Sequence, residues 1–491
     1  MDRLSNWIEN LNGRSILLLL FLYSLWVRFP FFFRDYIDRD ESTFILMGQS
    51  WVDGYLPYTE LWDIKPPLTF FFFAAIIFCF GKSFIAIRFF GVLLITISSF
   101  FTYKLTSKIA SKKISLFMGL LCIVLQSLFG SLQGVMSEHL VMAVLTPSLW
   151  LISSSKLRWK NWLVIGLLIG VSVMIKLNVA YVGLFLGFYA LIKKVSKNQI
   201  KLNLSNGFFY GLGILTLIFL VYLPYYLAGL SELWWKSVIL APLNYAGARQ
   251  DSLIKLSAFI LPVGFFLFYS IRKNILDLNQ RTSLILTIST LGILVAFYRG
   301  GRINGHYLIL LYPVLLPLIG AFLSTLSFSN MRKKVILIPI LLFLVPVETY
   351  LEYITLGKNK IEKGSFFNGE GIEVPKYLIE KEISHETILF TGYHIGYWLL
   401  DTKPPTKAAT QPSNILKDEM FFAYENPRET GIEELKHIMK TVRPSLVVTR
   451  KNRRIFDKKE KDANQFINAY LENNYKVLDS VDGAMIYKRL E

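Results

Sequence analysis

Four acids, Asp35, Asp38, Asp40 and Glu41, fall just after a long apolar run, with Arg34 and Arg39 among them. A carboxylate so placed can take the proton of an attacking hydroxyl or amine, and either Asp40 or Glu41 can be that base. As structure alone, Asp40 would cap a helix beginning near Glu41. Some twenty residues on comes Leu61-Trp62-Asp63-Ile64-Lys65-Pro66-Pro67-Leu68. Its lysine is either a cation for a leaving phosphate or an interfacial side chain that snorkels to water. Glu138 and Lys176 stand at or within apolar runs, where ionisable groups are rare and usually functional. They can also pair with each other. Arg299, Arg302 and His306-Tyr307 flank another short loop, as phosphate ligands or as ordinary loop charges and an interface pair.

The elements that must position these residues are membrane helices. The chain has 491 residues, 53% hydrophobic and 18% charged, against about 25% charged in a soluble protein. Aromatics make up 15%, which suits helices that meet lipid along their length and interfaces at their ends. This composition excludes an ordinary cytosolic enzyme. The net charge of +18 is scattered through short loops and the last third, with no arginine-rich stripe, so nucleic acid is set aside. Cys79 and Cys122 sit in separate apolar runs and read as buried small hydrophobes. Trp234-Trp235 reads as a pair of interface anchors. The first apolar run, Ser15 to Phe33, has no small-residue cleavage site and should remain as a span.

Apolar runs centre near Leu20, Leu94, Ile123, Leu145, Leu167, Leu184, Leu217, Phe265, Leu291, Val314 and Leu342, predicting about eleven spans. One further run, Pro66 to Phe80, is resolved by charge. If it lies at the outer interface and the N-terminus is cytoplasmic, the inner loops collect the lysines and arginines at 108–113, 156–160, 193–201, 272–281 and 332–334. If it crossed, all of these would face outward. The same topology puts Lys65, Arg299, Arg302 and His306 on the outer side. We therefore expect a membrane module over residues 1–351, with a first outer loop at 34–83, and an extracytoplasmic domain at 352–491. In that domain, Glu386 to Phe390 and Ser445 to Thr449 read as buried strands and Tyr475 to Lys488 as a hairpin turning at Asp482-Gly483. Ile432 to Lys440 and Ala463 to Glu472 have helical spacing, so a small α/β domain is expected.

The Asp40-Glu41 pair after the first span, followed by an acid, Lys65 and Pro66-Pro67-Leu68 leading into an aromatic run, resembles the GT-C glycosyltransferases of the protein-mannosyltransferase and aminoarabinose-transferase superfamily. Ser137-Glu138-His139 on the second outer turn, Lys176 at the end of a Gly-rich helix, and His306-Tyr307 with Pro313 extend the resemblance along the chain. Ile64, between Asp63 and Lys65, departs from the pattern and leaves the role of Asp63 open. The resemblance implies a polytopic α-helical GT-C fold and an enzyme that moves a sugar from a polyprenyl-phosphate donor to an extracytoplasmic acceptor. It favours Asp40 as the base, with Lys65, Glu138, Lys176, His306 and Tyr307 at positions of its pattern; together with Arg299 and Arg302, which charge counting and not the resemblance puts on the outer side, these are expected to hold donor phosphate and sugar. Single-displacement inversion needs only one such carboxylate, unlike the paired acids of hydrolases. A flippase for lipid-linked sugar would share the lipid and phosphate sites but need no base. A scaffold would need neither Asp40 nor Glu41. No metal-ligand spacing is present, so no cofactor is expected, with a divalent metal left as an open alternative. The partners expected are the lipid-linked donor and membrane lipid, and the Lys, Ile and Asn bias points to a bacterial inner membrane.

Overall fold

The computed structural model describes residues 2–35, 38–154, 157–192, 197–248, 253–301, 303–326, 343 and 345–490. It is a helical protein with a small C-terminal sheet. Five helical stretches, Gly13–Phe33, Phe84–Thr106, Leu202–Leu227, Ile254–Arg272 and Arg281–Gly300, are long and apolar enough to cross a bilayer. The other expected centres up to Val314 also fall on helices: Lys112–Leu125, Ser137–Ile152, Trp159–Ile175, Ala180–Ile192 and Tyr312–Thr325. The centre at Leu342 and Arg302 both lie outside the described residues. The ambiguous run is the helix Pro67–Phe80, opened by proline at its first turn. Its 14 residues span about 21 Å, less than the roughly 30 Å of a hydrocarbon core.

By its contacts the chain forms two compact units. The first comprises Met1–Pro30, Arg88–Pro224 and Ala246–Leu351. Its helices meet through small residues: a Cβ on Gly166 would lie 2.1 Å from the Tyr210 carbonyl oxygen, and one on Gly213 2.4 Å from that of Leu163. The helices Trp159–Ile175 and Lys197–Leu227 can approach this closely only because both positions lack a side chain. Ile16, Leu20, Ile95, Tyr103, Leu116 and Ile123 form one of its apolar clusters.

The second unit comprises Phe31–Ile87, Tyr225–Tyr245 and Glu352–Glu491. The first loop is thus compact with the C-terminal residues rather than a free excursion. Arg34 bridges Asn368 and Trp62 bridges Ala408, both in parallel. The buried Trp62 donates its indole N–H to Ser237 (2.9 Å) and packs on the Tyr424 ring. Trp234 is buried and Trp235 exposed, so only the second fits the expected interface anchor. Cys122 is buried as expected, whereas Cys79 is exposed: the helix Pro67–Phe80 turns Phe44 and Gly48 of its neighbour toward Phe70, Phe73 and Ala74 and leaves Phe71, Phe78 and Phe80 exposed.

The C-terminal sheet has strands β1 (Ile388–Phe390), β2 (Leu446–Arg450), β3 (Tyr475–Val481) and β4 (Ala484–Arg489) in the order β1-β2-β4-β3. β1 and β2 are parallel, with Leu389 opposite Val447, and the remaining pairs are antiparallel. The hairpin turns at Asp482-Gly483, where Asp482 takes a left-handed φ of 48°, a conformation that aspartate tolerates better than most residues. The helices Gly431–His437 and Lys461–Asn474 pack Leu435, Ile467 and Leu471 against Leu389 and Val447. Thr430 and Glu433 close a capping box on the first of them.

Candidate active-site clusters

In the second unit, the helix Arg39–Val52 is capped by Asp38, whose carboxylate accepts from the Asp40 N–H at 2.8 Å. Asp40 is therefore not the cap, and the helix begins two residues earlier than Glu41. The Asp40 carboxyl instead meets Lys65 Nζ at 3.2 Å, and both side chains keep partial exposure. Glu41, next on the helix, is 1% exposed. Lys65 Nζ also lies 5.3 Å from the centre of the Phe44 ring, a cation–π geometry.

The backbone around Lys65 is fixed from two sides. Asp63 Oδ2 accepts from the Lys65 N–H (3.2 Å), and the buried Tyr58 hydroxyl donates to the Lys65 carbonyl (2.6 Å). Tyr58 adopts a left-handed φ of 77°, a strained state for a bulky side chain that persists only where surroundings impose it. Its N–H is held by the Leu61 carbonyl at 3.0 Å. Asp63 thus acquires a role the sequence left open: it orients the lysine's main chain.

Behind Asp63 runs a buried chain of hydroxyls. Thr410 donates to Asp63 Oδ1 (2.9 Å), Thr43 meets Thr410 at 2.9 Å, and His394 Nε2 lies 3.2 Å from the Thr43 hydroxyl. Thr410 has one proton and gives it to the carboxylate, so Thr43 is the donor to Thr410. His394 is held neutral, its pKa pushed down to about 3 by burial and then by the nearby Arg39 charge. Thr43, Thr410 and His394 carried no sequence signal, being common residue types set far apart in the chain.

In the first unit, Glu138 opens the helix Ser137–Ile152 and Lys176 ends the helix Trp159–Ile175. Lys176 Nζ lies 2.8 Å from Glu138 Oε1, with side chains 8% and 1% exposed. Ser137 donates to the other carboxylate oxygen (3.0 Å). His306 Nε2 stands 3.8 Å from Glu138, and Lys176 Nζ is 4.6 Å over the Tyr307 ring. Four residues chosen from sequence, Glu138, Lys176, His306 and Tyr307, therefore meet in one place. Arg299 is exposed at the end of its helix and, among the described residues, joins none of these contacts.

Sequence reasoning missed Arg28. Buried at the end of the first span, it donates to the carbonyls of Leu132, Gln133 and Gly134 at 2.6–2.8 Å and to the Ser127 hydroxyl at 3.2 Å. It thereby secures the turn that leads into Glu138. Among the described residues, no three His, Cys, Asp or Glu side chains gather so as to hold a metal ion.

Residues 64–227, which include Lys65, Glu138 and Lys176, match the family described as dolichyl-phosphate-mannose-protein mannosyltransferase. No curated protein matches the chain in sequence. Among solved structures, ArnT from Cupriavidus metallidurans, bound to undecaprenyl phosphate, is similar with a TM-score of 0.61 at 14% identity, covering 97% of each chain. The oligosaccharyltransferase AglB from Archaeoglobus fulgidus, in complex with an inhibitory peptide and a dolichol-phosphate, is similar at 0.50 and 12% identity, covering 99% of this chain and 75% of that one. The chain has the GT-C fold, and the resemblance to GT-C glycosyltransferases that Asp40-Glu41 and Lys65-Pro66-Pro67 carry in its sequence is borne out.

Proposed function

We propose that this chain is an inverting glycosyltransferase that moves a sugar from a polyprenyl-phosphate donor to an acceptor outside the cytoplasm. The observation that carries the reading is the partly exposed Asp40–Lys65 pair, 3.2 Å apart. Asp40 takes the acceptor's proton as the glycosidic bond forms, a role typically worth 10²–10⁴ in rate. Lys65 balances the phosphate that leaves, and an arriving phosphate that draws Lys65 away frees the Asp40 oxygen to accept. Glu41, being buried, is the weaker of the two candidate bases. In the first unit Lys176 supplies the cation for the donor, placed by Glu138, His306 and Tyr307 around it, and Arg299 and Arg302 add positive charge.

The loop charges support about eleven spans, a cytoplasmic N-terminus and an extracytoplasmic C-terminal domain in a bacterial inner membrane, with Pro67–Phe80 lying along the outer interface. The test is transfer from radiolabelled polyprenyl-phosphate hexose into membrane acceptors, comparing the native chain with Asp40→Asn at equal expression. A loss of at least about a hundredfold with donor binding retained is expected. Unchanged transfer would remove Asp40 as base, and donor binding without transfer by either chain would favour a flippase.

A further inference from the structure

The C-terminal domain has a cavity of about 400 Å³ lined by Glu370, Tyr393, Arg450, Lys451, Asn452 and Arg453. It opens where the parallel strands β1 and β2 both end, the edge at which α/β sheets commonly place ligands. The β3–β4 turn closes one side, its Gly483 carbonyl accepting from the Lys451 N–H at 2.8 Å. A Cβ on Gly483 would stand 2.2 Å from the Glu370 carboxylate, so glycine is what lets that acid reach the cavity. Three positions at the rim, Tyr393, Asn452 and Asp482, take left-handed φ values of 59°, 56° and 48°. Backbone strain gathered in this way is a common mark of a binding loop.

The lining has a definite chemistry. Arg450, Lys451 and Arg453 set three cations against the single carboxylate of Glu370. Lys451 and Arg453 are exposed, while the Arg450 guanidinium lies over the Tyr393 ring, 5.2 Å from its centre. Burial and the Glu370 charge push the Tyr393 phenol up to about 12, so it stays a proton donor. Cations that suit a phosphate or carboxylate stand beside an acid, an amide and a phenol that suit sugar hydroxyls. A bare anion would be opposed by Glu370, and a neutral sugar would leave the cations unused.

We propose that this cavity binds an anionic carbohydrate, a sugar bearing a phosphate or carboxylate, as part of the acceptor. Only the word acceptor rests on the transferase reading, because binding is measured without turnover. The full chain in zwitterionic nanodiscs is titrated calorimetrically with glucose 6-phosphate, glucose and inorganic phosphate. Glucose 6-phosphate should bind at least about tenfold tighter than either of the others. The double substitution Lys451→Gln/Arg453→Gln should weaken it about tenfold with the thermal midpoint unchanged, and Glu370→Gln should narrow the preference over phosphate. Equal binding of inorganic phosphate, undiminished binding by the double variant, or an effect seen only with anionic lipid would overturn the proposal, the last in favour of a headgroup surface. Lost binding with transfer intact sinks this site alone, whereas binding without transfer sinks only the transferase reading.

Discussion

Replacing Lys176 by methionine while Glu138 stays in place would leave a carboxylate that is 1% exposed without the ammonium 2.8 Å away. Removing one partner of a buried pair costs about 3–5 kcal/mol, because the remaining charge is neither solvated nor balanced. Here the Ser137 hydroxyl at 3.0 Å and His306 at 3.8 Å remain, which places the expected loss near the lower end, about 3 kcal/mol. For a chain of 491 residues that corresponds to a thermal midpoint lower by roughly 3 °C, because the unfolding entropy grows with chain length. Glu138→Gln/Lys176→Met removes both charges and should recover most of the loss, since the two sites are in contact and their effects are not additive. Transfer should not recover, because the cation assigned to the donor is still missing. The assay is a double-mutant cycle in detergent, with unfolding midpoint and transfer measured on the same preparations. A single-mutant loss under about 1 kcal/mol would show the pair to be solvated, and a double variant with restored transfer would refute the role of Lys176.

Other predictions concern the supports of both units. His394, neutral with a pKa near 3 against 6.5 when unfolded, makes the unfolded chain the better proton binder between those values, so stability is full above pH 6.5 and falls as pH drops. The loss by pH 4 should be about 3 kcal/mol, and His394→Gln should flatten that slope in acid unfolding curves. Tyr58→Phe removes the hydroxyl that satisfies the Lys65 carbonyl at 2.6 Å; a stability loss of about 1–2 kcal/mol is expected by denaturant unfolding. Gly166→Ala sets a methyl 2.1 Å from the Tyr210 carbonyl, and the folded yield by size-exclusion chromatography should fall sharply, since backbone cannot yield as a side chain can. Unaltered yield would mean that the two helices are free to part.

What could be read in advance followed from spacing and from solvent. The strands at Ile388–Phe390 and Leu446–Arg450, the hairpin at Asp482-Gly483 and the helix containing Ile467 and Leu471 all announce themselves through local periodicity. Glu138 and Lys176 were conspicuous because charge is rare in apolar runs, and their ion pair shows why both are tolerated there. The Asp40–Lys65 contact was reachable through motif resemblance. Nothing local pointed to Thr43, Thr410 or His394, which are ordinary polar residues until the chain brings distant segments together. Arg28 carries no local signal either, since its guanidinium serves carbonyls more than a hundred residues away. The boundary after residue 351 marks where hydrophobicity collapses, while contacts group residues 31–87 with the C-terminal segment, a partnership that composition does not encode.

The hydroxyl chain also imposes an order of events during biogenesis. Thr43 and His394 are separated by 351 positions, and at about 5–20 residues per second roughly twenty to seventy seconds of synthesis divide their appearance. Until then the segment carrying Asp40 has neither Ala408 to bridge Trp62 nor Thr410 to hold Asp63. A nascent or truncated chain can insert its early spans and still lack a finished first loop. Residues 394–410 thus complete the first loop, and only once they are made does Asp63, which holds the Lys65 main chain, gain its Thr410 partner.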